Sequence, residues 1–346
     1  MTDANSLRGI GAALAAGLAL AMASPVGAGS VVVEAGRLQD PASVEVTYGE
    51  WRDDARERTV PYKLYLPSGS GPAPVVLLSH GLGGSREAAG FLLEALAEAG
   101  FAAVSIQHPG TDESILADLR PGEGRQALAR LTRGPGARAG AGARFGDVRF
   151  VIDRLEAENA GGRFAGRFDL TRLGMSGHSY GALTTLVALG QGAREEGPNP
   201  FQDPRIDAGI VYSPNAPRNQ DPESALAGIR TPILHFTGTE DRTPFDLEET
   251  PEGRTLPFRT INGADQYLIV LTGGDHQIFG GRVQRSGAMT PAETAQTEAI
   301  VRETLIFWRA HLLGDADALR ALCELPQQVS RVAQGEVKAS RCDPGR

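Results

Sequence analysis

Cysteine is scarce: the 346-residue chain has only two, Cys323 and Cys342. That is too few for a disulfide-stapled scaffold, and the pair lacks the spacing of a metal site. There is no long Lys/Arg run, and 34 Lys+Arg stand against 42 Asp+Glu for a net charge of -8. With a pI near 5.4, this charge balance argues against nucleic-acid or anionic-membrane partners. Gly and Pro together number 66, about 19% of the chain. This is below the roughly 25–30% typical of low-complexity sequence. No internal repeat is present. What remains is an acidic globular chain, 41% apolar. It is long enough for one large α/β domain, or two small ones, around a sizeable core.

The apolar run at 9–22 is shorter than the roughly 20 residues that span a bilayer, so no stable membrane insertion is expected. It follows Arg8 and precedes small-residue cleavage options at Ala21-Met22-Ala23 and Val26-Gly27-Ala28. The pattern fits a secretory leader over 1–28, and hence export to the periplasm or beyond. Export in turn favours pairing Cys323 with Cys342, since disulfides persist in oxidising compartments.

The remainder, 29–346, alternates strand and helix. Segments 44–48 and 59–66 are β-rich, and 74–79 is an unbroken apolar run, as suits a strand covered on both faces. A helical pattern at 87–99 and a strand at 101–107 follow. The stretch 111–143 is rich in Gly, Arg and Pro, with one short helical piece at 126–132, and is expected to be an inserted lid or binding loop, or else disordered. Helices at 145–157, 180–189 and 291–313 alternate with strands at 173–175, 208–212, 232–236 and 267–271. This order predicts a single α/β domain with a mostly parallel central sheet, helices on both faces and an antiparallel N-terminal edge.

Gly177-His178-Ser179-Tyr180-Gly181 lies between the strand at 173–175 and the helix at 180–189. A serine on such a turn presents its hydroxyl at the top of the sheet, and the flanking glycines fit where side chains would clash. A serine nucleophile needs a base, and the base an orienting carboxylate. Among the six histidines, His80 and His108 precede the serine, His178 adjoins it, His235 lies within a strand and His311 is on the terminal helix. His276, in a loop after the strand at 267–271, is the candidate base. Asp241 is the candidate acid, with Glu240 and Asp246 as competitors, while Asp275 is expected to face solvent. The Gly-rich turn Ser79-His80-Gly81-Leu82-Gly83-Gly84 leaves a strand, so the N–H of Leu82 and that of Tyr180 are the expected oxyanion donors.

In these motifs and in His276-Gln277-Ile278-Phe279 the chain resembles the α/β-hydrolase superfamily, over nearly all of the mature sequence. More narrowly it looks like the platelet-activating-factor acetylhydrolase-like and predicted dienelactone-hydrolase-like bacterial esterases. The resemblance implies the α/β-hydrolase fold, with Ser179 as nucleophile, Asp241 as acid, His276 as base and Leu82 with Tyr180 at the oxyanion hole. True dienelactone hydrolases carry cysteine at the elbow, where this chain has Ser179. The leader and the cysteine pair also resemble secreted polyester hydrolases. A monomer that hydrolyses a small carboxylic ester without metal or cofactor is therefore expected, short acyl chains being favoured. A polyester hydrolase, or an acyltransferase or perhydrolase, is the alternative. Leu82, Tyr180, Phe245, Ile278 and Phe279 are candidates for an apolar wall beside the serine, or else for ordinary core. N-terminal sequencing of exported protein should find a start between Ser24 and Ser30. A chain that still begins at Met1 would contradict the leader.

Overall fold

The computed structural model describes residues 44–116, 137–192, 199–217, 220–243, 250–281, 287–327 and 332–342. They belong to one compact unit, Pro41–Arg346. The expected leader at 1–28, the expected helical piece at 126–132, most of the 111–143 stretch, Phe245 and Asp246 lie outside the described residues.

Nine strands form one sheet in the order β1-β2-β4-β3-β5-β6-β7-β8-β9. At one edge β1 (Glu45–Asp53) pairs antiparallel with β2 (Arg58–Leu66), which pairs antiparallel with β4 (Ala102–Ile106). From β4 inward the pairing is parallel, through β3 (Ala73–Ser79), β5 (Phe168–His178), β6 (Ala208–Tyr212), β7 (Ile233–Glu240) and β8 (Gln266–Asp275). The expected antiparallel N-terminal edge and parallel centre are both present.

The sheet separates two cores. In β3 all seven positions are buried. Successive side chains of a strand point to opposite faces. Val75 and Leu77 therefore join α2 (Ala137–Gly161) and α3 (Tyr180–Leu189) on one side. Val76 and Leu78 join α1 (Gly90–Glu98) and α6 (Pro291–Leu312) on the other. Each fully buried Val or Leu contributes roughly 1.5–3 kcal/mol relative to exposure. Two short helices, α4 (Pro222–Leu226) and α5 (Leu256–Thr260), lie in the connections on either side of β7 and before β8. α6 starts at a capping box, in which Thr290 accepts from the Glu293 N–H and Glu293 reaches back to the Thr290 N–H.

Three elements depart from the sequence pattern. β5 extends well beyond 173–175, because Phe168 and Asp169 also pair with Ala73 and Pro74. α2 begins at Ala137, so the last residues of the expected insert are helical despite Gly140, Gly142 and Gly146. Packing there overrides weak intrinsic propensity. The strand expected to be last is followed by α7 (Ala316–Cys323) and β9 (Ala333–Lys338), which adds an antiparallel edge to β8. β9 has no fully buried residue, so alternating hydrophobicity does not mark it.

Cys323 and Cys342 form a disulfide, with Cα atoms 5.2 Å apart, that ties the end of α7 to the segment after β9. Such bonds persist in oxidising compartments. No helix among the described residues is long and apolar enough to cross a membrane. The bond closes a loop of sequence separation 19. Cys323→Ser should therefore cost roughly 3 kcal/mol of stability, read from the denaturant midpoint. An unchanged midpoint would show that the clasp constrains nothing.

Candidate active site

Parallel pairing brings the carboxyl ends of β3 to β8 to one edge of the sheet, the usual place for ligands in open α/β sheets. His80 follows β3, Ser179 follows β5, Ser213 follows β6, and Asp241 and His276 directly follow β7 and β8. His108 lies just beyond β4.

Ser179 sits between β5 and α3 with φ 57° and ψ -114°. A non-glycine residue at positive φ is strained and persists only where its surroundings impose it. The surroundings are tight. A Cβ on Gly177 would collide with the Gly181 carbonyl, and one on Gly181 with the Ser79 carbonyl. The elbow therefore requires both glycines. The Gly-rich turn lies against it, since a Cβ on Gly81 would sit 3.5 Å from Ser179 Cβ.

Asp241 is fully buried and saturated with donors. Oδ1 accepts from His276 Nδ1 at 2.8 Å and lies 2.8 Å from Arg254 Nε. Oδ2 accepts from Ser213 Oγ at 2.5 Å and Thr237 Oγ1 at 2.8 Å. Burial opposes ionisation, but the His276 hydrogen bond and the Arg254 charge outweigh it and hold the carboxyl below its ordinary pKa. An ionised Asp241 fixes the proton of neutral His276 on Nδ1, which leaves Nε2 as a free base. The His178 ring packs 4.7 Å from the His276 ring, centroid to centroid. No hydrogen bond joins Ser179 to His276 among the described residues.

The structure thus brings Asp241 and His276 together and sets Ser179 on the neighbouring elbow. The N–H groups of Leu82 and Tyr180 find no acceptor among the described residues. Glu240 and Asp275 are exposed, and their strands pair them with each other. Ile278 and Phe279 are fully buried in the core, so neither forms a wall beside the serine. Leu82 and Tyr180 are half-buried and stay available for that role. His235 is bound to Gln266 within the core, and His311 is half-buried against the Phe307 and Tyr267 rings.

Two residues at the acid escaped the sequence pattern. Ser213 holds φ 54° and clamps Asp241. Arg254, fully buried, also donates to the carbonyl of Asp241 at 3.0 Å, to that of Ser213 at 3.1 Å and to Asn215 Oδ1 at 2.7 Å. The strand order places Ser213 between the elbow and Asp241, but nothing in the local sequence marks Arg254.

A second Ser–His–Asp arrangement lies beneath the Gly-rich turn. Ser79 Oγ is 2.9 Å from His108 Nε2, and His108 Nδ1 is 3.0 Å from Asp147 Oδ2. All three side chains are fully buried, and Ser79 Oγ also accepts from Arg144 Nη2 at 2.8 Å. With no route to solvent, this group is structural. Among the described residues, no three or more His, Cys, Asp or Glu are grouped to hold a metal ion. No protein-family model matches the chain, and no curated protein matches it.

Burial keeps three site histidines neutral. It pulls His80 and His178 well below their ordinary pKa, and His108 to about 4. The nearby charge of Arg144 adds to the effect at His80 and His108. The unfolded chain therefore binds more protons than the folded one between about pH 6.5 and 4. Their contribution is complete above about pH 6.5 and is lost on acidification. His108 alone accounts for on the order of 3 kcal/mol by pH 4. The urea midpoint should be lower at pH 4.5 than at pH 7. Equal midpoints would show that these rings are not held neutral.

Proposed function

We propose that this chain is a serine hydrolase of the α/β-hydrolase fold that cleaves short-chain carboxylic esters. The observation that carries the reading is the backbone of Ser179. A strained, half-exposed serine sits at the N-terminus of α3, beside an Asp–His pair delivered by two neighbouring strand ends. Strain of this kind is maintained where an exposed nucleophile is needed.

In the proposed reaction His276 Nε2 takes the Ser179 hydroxyl proton as Oγ attacks the ester carbonyl. The negative charge that develops on the carbonyl oxygen meets the Leu82 and Tyr180 N–H groups and the positive end of the α3 dipole. Collapse breaks the bond to the alkoxy oxygen, which leaves as alcohol with the proton from His276. A water then gives its proton to His276 as it attacks the acyl-enzyme carbonyl, and collapse breaks the bond to Ser179 Oγ, which takes the proton back from His276 as the acid leaves. Asp241, buried and ionised, stabilises the imidazolium in both halves. The leader at 1–28 and the Cys323–Cys342 bond support export as the setting of this activity.

The purified chain should hydrolyse p-nitrophenyl acetate and butyrate faster than longer acyl esters, and Ser179 should be labelled by a fluorophosphonate. Ser179→Ala should abolish labelling and lower kcat by about 10⁶. Turnover that persists in a clean Ser179→Ala preparation would overturn the assignment.

A further inference from the structure

Arg144, on α2, is fully buried, and among the described residues no carboxylate oxygen lies within ion-pair distance of it. Its guanidinium donates to neutral oxygens instead. Nε donates to Thr184 Oγ1 at 2.7 Å and Nη1 to Thr111 Oγ1 at 2.8 Å. Nη2 donates to Ser79 Oγ at 2.8 Å and to the His80 carbonyl. The guanidinium carbon lies 4.6 Å from the centre of the Tyr180 ring. Asp147 is engaged by Arg56, Arg58 and His108, and Asp112 by Gln107 and Ser114. Burial lowers the Arg144 pKa to about 10, which leaves the group charged at neutral pH.

These contacts reach both arms of the proposed oxyanion site. A peptide group is planar, so pinning its carbonyl fixes the direction of the N–H at its other end. Arg144 pins the His80 carbonyl and with it the Gly81 N–H. The next carbonyl, that of Gly81, is held by His80 Nδ1 at 2.6 Å and by the Gly84 N–H at 3.0 Å, which directs the Leu82 N–H away from both. His80 has only one tautomer open to it, because its Nε2 accepts from the His108 N–H at 3.1 Å. His108 is in turn held by Ser79, Asp147 and Thr111, and two of these accept from Arg144. Thr111 also accepts the Gly83 N–H through its carbonyl, at 2.9 Å. On the other arm, the guanidinium stacks on the side chain of Tyr180, whose N–H is the second donor.

We propose that Arg144 is the positioning residue of the oxyanion site, fixing the Gly-rich turn through His80 and placing a buried positive charge beneath the oxygen that becomes negative. A charge fixed before the reaction and shielded from water stabilises a transition state without reorganisation. This rests on the hydrolase reading, and it explains why the fold keeps a buried cation held mainly by neutral oxygens where an apolar side chain would pack at less cost.

The test uses the full chain with Arg144→Met, Arg144→Lys and Thr184→Val, assayed on p-nitrophenyl butyrate. Inhibition by a butaneboronic acid, which forms a tetrahedral anion on the serine, provides the second readout. Concentrations are normalised to fluorophosphonate-reactive sites. Arg144→Met should lower kcat by about 10²-fold with KM little changed, and should weaken the boronic acid by a similar factor. Arg144→Lys, which keeps the charge without the fork, should fall between the two. Thr184→Val loosens the guanidinium while leaving its charge and should lower kcat several-fold, so the inference is testable even if Arg144→Met does not fold. Normal kcat and boronic-acid affinity per active site, with only a lower melting temperature, would make Arg144 a packing residue and overturn the proposal. A wild-type chain that hydrolyses no ester would overturn the hydrolase reading itself. Hydrolysis that these substitutions leave untouched would overturn only the role of Arg144.

Discussion

The parallel register of β3, β5, β6, β7 and β8 is the constraint on which the site depends. Parallel strands must all leave the sheet at the same edge, so Ser79 and Gly177, far apart in the chain, end side by side. At that edge the regular ladder of hydrogen bonds stops and the last polar groups need other partners. Asp241 shows how completely they are found. A fully buried carboxylate is tolerated only with donors around it, and here the donors come from β7, from the turn after β6, from the loop after β8 and from Arg254. Removing β6 or β8 from the order would leave that charge short of a partner.

The two sets of Ser, His and Asp differ in access and backbone rather than in residue type. Ser79 ends β3 in ordinary extended backbone, fully buried, with its hydroxyl already between Arg144 and His108. Ser179 is half-exposed at positive φ, with its hydroxyl free among the described residues. The first group makes the better set of hydrogen bonds, yet no substrate can reach it. It stiffens the turn that runs beside the second. One sheet edge thus carries a wet serine and, beneath it, a dry copy of the same side-chain types acting as scaffold.

Much of the architecture is legible in the sequence, because strands covered on both faces leave unbroken apolar runs and helices leave a longer period. The run at 74–79 and the pattern at 180–189 coincide closely with β3 and α3. The elements that escaped are those held by contacts rather than by composition. β9 is an exposed edge fixed by its ladder to β8 and by the disulfide. The first turns of α2 contain three glycines and are stabilised by packing. Ile278 and Phe279 are apolar, as a binding wall would be, and only the fold shows that they fill the core.

The sequence alone determined the order of β1 to β8 and of α1, α2, α3 and α6, the elbow glycines around Ser179 and the candidacy of Asp241 and His276, because each has a local signature in period, turn chemistry or position after a strand. The two cysteines, uninformative as a count, are paired in expectation once a leader is read at 1–28, and the structure joins them. Tertiary structure decided that Ser213 and Arg254 surround Asp241, that His80 and His108 brace a turn, and that Arg144 reaches both the Gly-rich turn and the Tyr180 ring. Such roles arise from distance in space between residues far apart in the chain, and no local pattern encodes them.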